Sequence, residues 1–163
     1  MKARIILAGF LLVVPLVWVG CKKADPPGVI GDPDRTIKVS GSDAEMNAAM
    51  ARARAEIDLA VAKLQAGADR FSVKVPVRDG GQTEYFWLSD VRYRDGVFTG
   101  KIDNDPDMVH TVKLGQEITA PRSEIADWMY FEGDKMHGNY TLRVLMKQMP
   151  AAEAEQYRRM LAD

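Results

Sequence analysis

One cysteine and two histidines are all that the 163 residues offer to thiol and imidazole chemistry. With Cys21 alone, neither an intramolecular disulfide nor a cysteine-based zinc centre can form, so the core must be held by packing. His110 and His137 lie too far apart in sequence to share a helix face as a metal pair. An excess of charge of one sign is missing too: 22 basic residues against 23 acidic ones leave a net charge of −1. That balance argues against general nucleic-acid binding. Beyond residue 19 there is no long apolar run, no internal repeat and no G-x-S-x-G nucleophile elbow. Nothing in the pattern requires a cofactor or a metal.

What is present begins with a leader. Lys2 and Arg4 precede an apolar stretch from Ile5 to Val19, interrupted only by Gly9 and Pro15. A permanent membrane span needs about 20 apolar residues, whereas here Lys22 and Lys23 follow at once, so residues 1–20 read as a secretory signal peptide. The segment Leu16-Val17-Trp18-Val19-Gly20-Cys21 resembles the lipobox of bacterial lipoproteins, with Val19 and Gly20 in place and Trp18 where leucine is usual. That resemblance implies a diacylglyceryl thioether on Cys21 and an acyl chain such as palmitate on its freed amine, and two or more chains anchor stably where one does not. Lys22 after the cysteine is similar to lipoproteins passed to the outer membrane, so the expected location is its periplasmic face. A retained signal anchor is the alternative. Cleavage would remove two basic residues and no acidic one, moving the net charge from −1 to −3.

Residues 21–41, rich in Pro, Gly and Asp, read as a flexible tether. The remainder, 42–163, is the size of one domain. Ser42 with Glu45 forms a capping-box signature, and Met46, Met50, Ala53, Ile57, Val61 and Leu64 recur at spacings of three and four until Gly67. The spacing predicts one amphipathic helix of about 23 residues, roughly 35 Å long. From Phe71 the period becomes two, through Val73, Val75 and Val77, with Pro76 suggesting an edge strand. After a turn at Asp79-Gly80-Gly81, the run Glu84 to Tyr93 and the run Val97 to Ile102 form a predicted hairpin about Asp95-Gly96. Gly100 suggests a bulge or a close backbone approach. A short amphipathic piece around Val109 and Val112, a turn at Gly115 and a strand at Glu117-Ile118-Thr119 follow. Trp128 to Phe131 is a further strand, with Lys135 to His137 returning after Glu132-Gly133-Asp134. Leu142, Leu145, Met146 and Met149 make a helix face, and Pro150 opens a last helix through Tyr157 and Leu161. The expected fold class is therefore α+β: a long N-terminal helix, a small antiparallel meander with a barrel-like closure as one form, and C-terminal helices.

Phe86-Trp87-Leu88, Gly100-Lys101-Ile102 with Asn104 and Pro106, Gly115, Ile125 with Asp127-Trp128-Met129-Tyr130, and Gly138-Asn139-Tyr140-Thr141 with Arg143 occur in that order. Together they resemble the YegJ-like family, a bacterial domain of unknown function, over Phe71 to Met149. The resemblance implies a compact strand-rich domain, often exported, and carries no catalytic residues to transfer.

Asp103, Asp105 and Asp107 have the spacing of a calcium loop, but Met108 and Leu114 stand where that loop needs Gly and Glu, so a turn is the better reading. His137 oriented by Asp127 could serve as a general base, and this is the basis of the alternative function, a small periplasmic hydrolase or metal-dependent enzyme. It requires Asp103, Asp127, His137 and Arg143 to converge. Asp127 has other readings, as a cap of Ser123-Glu124-Ile125 or a partner of Arg143. The leading expectation is a lipid-anchored envelope module that binds an envelope protein or ligand through Trp87, Asp127, Trp128, Tyr130, Tyr140 and Arg143, aromatics supplying area and Arg143 a charged contact.

Overall fold

In the computed structural model, residues 44–162 are described. The leader, Cys21, the tether and the Ser42 cap all lie outside the described residues. Two helices, α1 (Ala44–Ala55) and α2 (Ile57–Gln65), precede strands β1 (Asp69–Asp79), β2 (Gln82–Arg94), β3 (Val97–Ile102), β4 (Glu117–Pro121), β5 (Asp127–Glu132) and β6 (Lys135–Gly138). Helices α3 (Tyr140–Leu145) and α4 (Ala151–Met160) follow. The strands form one antiparallel six-stranded sheet in the order β4-β3-β2-β1-β5-β6. Its ends, β4 and β6, do not meet, so the sheet is open and the barrel-like form is corrected. Among the described residues, no helix is long and apolar enough to cross a membrane.

The helix expected to run unbroken to Leu64 is interrupted at Glu56, which leaves helical geometry with φ −100° and ψ 13°. At this point the Trp128 indole donates to the Ala53 carbonyl at 2.9 Å. A side-chain donor entering the helical ladder is an identifiable cause of such a break. Ala53 and Ala60, both fully buried, let the pair of helices approach the sheet closely.

Period two then assigns the side chains to faces. Val73 pairs with Leu88 on one side and Trp128 on the other, and Val75 pairs with Phe86. These residues form the main core with Ala53, Ile57, Ala60, Phe98, Ile102 and Tyr130 under α1 and α2. On the opposite face a smaller cluster gathers Phe131, Met136, Leu142 and Leu161.

Strand β1 is not the edge strand that Pro76 suggested: it lies between β2 and β5. Pairing with β5 ends at Lys74, whose carbonyl still accepts from Ala126 N at 2.8 Å. Pro76, two residues on, turns its missing N–H to the same flank, past the end of β5, where proline does no harm. The β2–β3 hairpin turns at Asp95-Gly96, both at positive φ (50° and 83°), as a two-residue primed turn requires. A Cβ on Gly100 would stand 2.8 Å from the Ser89 carbonyl oxygen, opposite the register shift between Ser89 and Arg92. The close approach expected there is real.

Residues 103–116 contain neither helix nor strand, so the amphipathic piece around Val109 and Val112 is instead a tied loop. The buried Glu84 carboxylate accepts from the amides of Asp107, Met108 and Val109, and Asn104 Oδ1 accepts from Trp87 N. Asp103 rests beside Ser89, its carboxyl raised above the usual range by burial.

Candidate functional site

Strand β5 carries Asp127 and Trp128 side by side, and the pleat sends them to opposite faces. Asp127, fully buried, shares its face with Lys74 and Trp87 through the Lys74–Asp127 and Lys74–Trp87 pairings. Its carboxylate is fully occupied. Oδ1 accepts from Trp128 N at 2.9 Å and Tyr140 N at 3.2 Å; Oδ2 accepts from Thr141 N at 2.7 Å and from the Thr141 hydroxyl at 2.6 Å. The same hydroxyl accepts from Lys74 Nζ at 2.8 Å, and that ammonium lies 4.7 Å from the Trp87 ring centre. Burial draws the Lys74 amine below its usual range, with Asp127 pulling the other way.

The local backbone explains why the carboxylate is needed. Gly138 and Asn139 both have positive φ (74° and 51°), turning the chain sharply from β6 into α3 and aiming the Tyr140 and Thr141 amides at Asp127. Asn139 does not cap the helix; its side-chain amide donates to Met136 sulfur at 3.1 Å. Asp127 is therefore the cap of α3, in place of the Ser123–Ile125 turn or an Arg143 ion pair.

The other face of β5 opens on a cleft of about 210 Å³. Trp128 and Tyr130 form its floor, His137 and Gly138 come from β6, Tyr140 and Arg143 from α3, and Arg52, Glu56 and Leu59 from the broken helix. The aromatic wall is rigid: Trp128 meets Tyr140 edge-on at 5.7 Å, and Tyr130 stacks on His137 at 4.8 Å. His137 Nε2 is also 3.4 Å from a Glu132 oxygen.

The opposite wall is a chain of charge. The Tyr140 hydroxyl donates to Glu56 Oε2, Arg52 Nε donates to Glu56 Oε1 at 3.1 Å, and the Arg52 guanidinium lies 4.8 Å over the Tyr140 ring. Burial and the Glu56 bond push Tyr140 up to about 12. The same bond, with Arg52 behind it, holds Glu56 below the ordinary carboxylate range.

Arg143 differs from all of these. Its Nη2 donates to the Ala162 carbonyl at 2.7 Å, while its Nε is enclosed and lacks a partner among the described residues. Ala162 is held by its own N–H to the Met136 carbonyl at 2.8 Å, where Leu161 bridges β6 in parallel.

Of the six residues expected to form one surface, Trp128, Tyr130, Tyr140 and Arg143 converge on the cleft. Trp87 and Asp127 stand on the other face. His137 lies in the cleft and Asp127 behind the sheet, so the two do not form the acid–base pair considered from sequence, and Asp103 belongs to the distant loop. Sequence reasoning missed Arg52, Glu56 and Leu59 as cleft residues; the spacing of Arg52 and Glu56 by four along a helix was the available signal. It also missed Lys74 with Thr141, which carried no signal before the register of β1 and β5 was known.

Residues 43–162 match the bacterial family described as "Uncharacterized protein conserved in bacteria (DUF2314)". Among curated relatives, the chain is 42% identical over 128 residues to "Uncharacterized protein YegJ" of Escherichia coli K12, an alignment covering 77% of this chain and 84% of that protein. It is 30% identical over 90 residues to "Putative ankyrin repeat protein NMB1133/NMB1171" of Neisseria meningitidis serogroup B, covering 52% of this chain and 35% of that one. No solved structure matches.

Proposed function

The chain belongs to the bacterial DUF2314 family of uncharacterised conserved proteins, and on that footing we propose that it is a lipid-anchored protein of the cell envelope whose domain binds through the β5–β6 cleft. Two separate supports underlie the two halves of this reading. For anchoring, the support is the position of Cys21, directly after a basic n-region and an apolar stretch ending at Val19. The anchored protein would face the periplasm from the outer membrane, with residues 21–41 as its tether.

For binding, the observation that carries the reading is Arg143, a cation whose enclosed Nε has no partner at the wall of a cleft floored by aromatics. Enclosed polar groups are nearly always satisfied, so an exception in a concave site suggests a ligand-facing group. Binding rather than turnover is favoured because the carboxylate that lines the cleft, Glu56, is held by the Tyr140 hydroxyl and Arg52, while Asp127 lies behind the sheet and is spent on backbone amides.

Intact mass of the membrane-fraction protein, wild type beside Cys21→Ser, tests the anchor. The expected wild-type product lacks residues 1–20, carries about three acyl chains and partitions into detergent, whereas Cys21→Ser yields an unlipidated species. A soluble, unmodified wild-type product would remove the anchor and leave the binding half to be judged on its own.

A further inference from the structure

We propose that the cleft takes a small monocarboxylate with an apolar body, bound by the side edge of the Arg143 guanidinium, and that the Ala162 carbonyl occupies the position of its anion in the free protein. This deepens the binding reading above and rests on it. Nε and Nη2 form one edge of a guanidinium, the edge whose two parallel N–H bonds match the two oxygens of a carboxylate. Here that edge meets a single neutral oxygen. Nη2 reaches the Ala162 carbonyl at 2.7 Å and Nε reaches no acceptor among the described residues. A carboxylate in the same position would satisfy both N–H groups and neutralise a charge that Ala162 leaves uncompensated.

The occupant is displaceable in a way that the rest of the wall is not. Leu161 is buried in the smaller hydrophobic cluster and holds the segment against β6. Ala162, by contrast, is only partly buried, and apart from the Arg143 bond itself it is tied through its N–H to the Met136 carbonyl. Rotation about the Ala162 backbone would free the Arg143 edge without disturbing Leu161.

Ligand charge and size follow from the other walls. Arg52 is committed to Glu56 and lies over the Tyr140 ring, so among the described cleft residues Arg143 is the cation left to an incoming anion. Glu56 on the facing wall would repel a second negative charge, which disfavours a phosphate dianion. Leu59, 46% exposed, offers an apolar surface beside these charges. The cleft, about 210 Å³, lies below the roughly 300–1,000 Å³ of sites for drug-sized ligands. A body the size of one amino-acid side chain fits that space.

The test follows the Arg143 Nε–H resonance of full-length protein in detergent, assigned with Arg143→Lys, alongside the Leu59 methyl signals. The probes are N-acetyl-leucine, N-acetyl-leucinamide and inorganic phosphate. The expected result is a saturable shift of both sites with the acid, an affinity for the amide at least about tenfold weaker, and a comparable loss in Arg143→Lys, which keeps the charge but not the fork. Acetyl-Ala-Ala-Leu in the same titration separates the sources: tighter binding than N-acetyl-leucine supports a peptide C-terminus, equal or weaker binding a free acid. Equal binding of acid and amide would overturn the carboxylate assignment while leaving the cleft a binding site. Phosphate binding as tight as the acid would overturn it in favour of a general oxyanion site. Silence of both Arg143 and Leu59 with every probe would overturn this inference and the binding reading together.

Discussion

The two polar clusters on either side of β5 begin from adjacent residues and end in opposite states. Behind the sheet, Asp127 accepts four hydrogen bonds and Thr141 passes a fifth on from Lys74, so every group there has a partner. In front, the cleft is satisfied up to Arg143 and stops one donor short. Burial does not separate the two, since Trp128 is as enclosed as Asp127. Completeness does. A saturated network is an element of the fold, because anything that entered it would have to break a bond already made. An incomplete one at a concave surface has capacity left for something else.

The junction that holds the two sides apart is Gly138. A Cβ there would meet the Trp128 carbonyl oxygen and approach its Cε3 to 2.6 Å, at a φ that side chains rarely adopt. Gly138→Ala should cost about 3 kcal/mol or more and disturb both clusters together, read as a drop in the urea midpoint with loss of near-ultraviolet aromatic signal. Thr141→Val acts behind the sheet alone. It removes the hydroxyl between Lys74 and Asp127 and should cost about 2 kcal/mol, with the cleft unchanged by the Arg143 Nε–H resonance. Trp128→Phe keeps an aromatic floor but gives up the bond to Ala53. It should cost about 1 kcal/mol, and hydrogen exchange should slow at residues 53–57 if the helical ladder closes across the Glu56 break.

The smallest effect is on pH dependence. Tyr140 titrates near 12 in the folded protein against an ordinary 10.0, so its contribution is present below pH 10 and lost as pH rises toward 12. Glu56, lowered from 4.5 mainly by the Tyr140 bond, contributes above that value and loses its contribution as pH falls through its folded range. Melting temperature across pH for wild type minus Tyr140→Phe should therefore form a plateau that declines at both ends. Taking the difference also cancels Lys74, whose depressed amine works in the opposite direction at high pH.

Local periodicity made most of the elements readable. Alternation from Phe71, the Asp95-Gly96 turn and the short Trp128–Phe131 strand each depend on residues close in sequence, and each is present. Strand neighbours were less accessible: Pro76 said "edge" truthfully for the end of β1 and wrongly for the strand, because pairing with β5 stops at Lys74. The break at Glu56 comes from Trp128, more than seventy residues away, and no helix propensity could reveal it. The same holds for the site. Grouping Asp127 with Trp128 followed their adjacency, yet in a strand adjacency means opposite faces, and that rule alone would have split the set. Ala162 over Arg143 could only be seen once the chain had folded back along β6.

Paired urea melts of Asp127→Ala and Arg143→Met in the full chain bear most directly on the difference between the two clusters. Asp127→Ala orphans three backbone amides and should lose at least about 3 kcal/mol, whereas Arg143→Met gives up one bond and relieves one orphaned donor, leaving stability within about 1 kcal/mol of wild type. Comparable losses in the two variants would mean that Arg143 is as much a part of the fold as Asp127, and that the cleft has no capacity to spare.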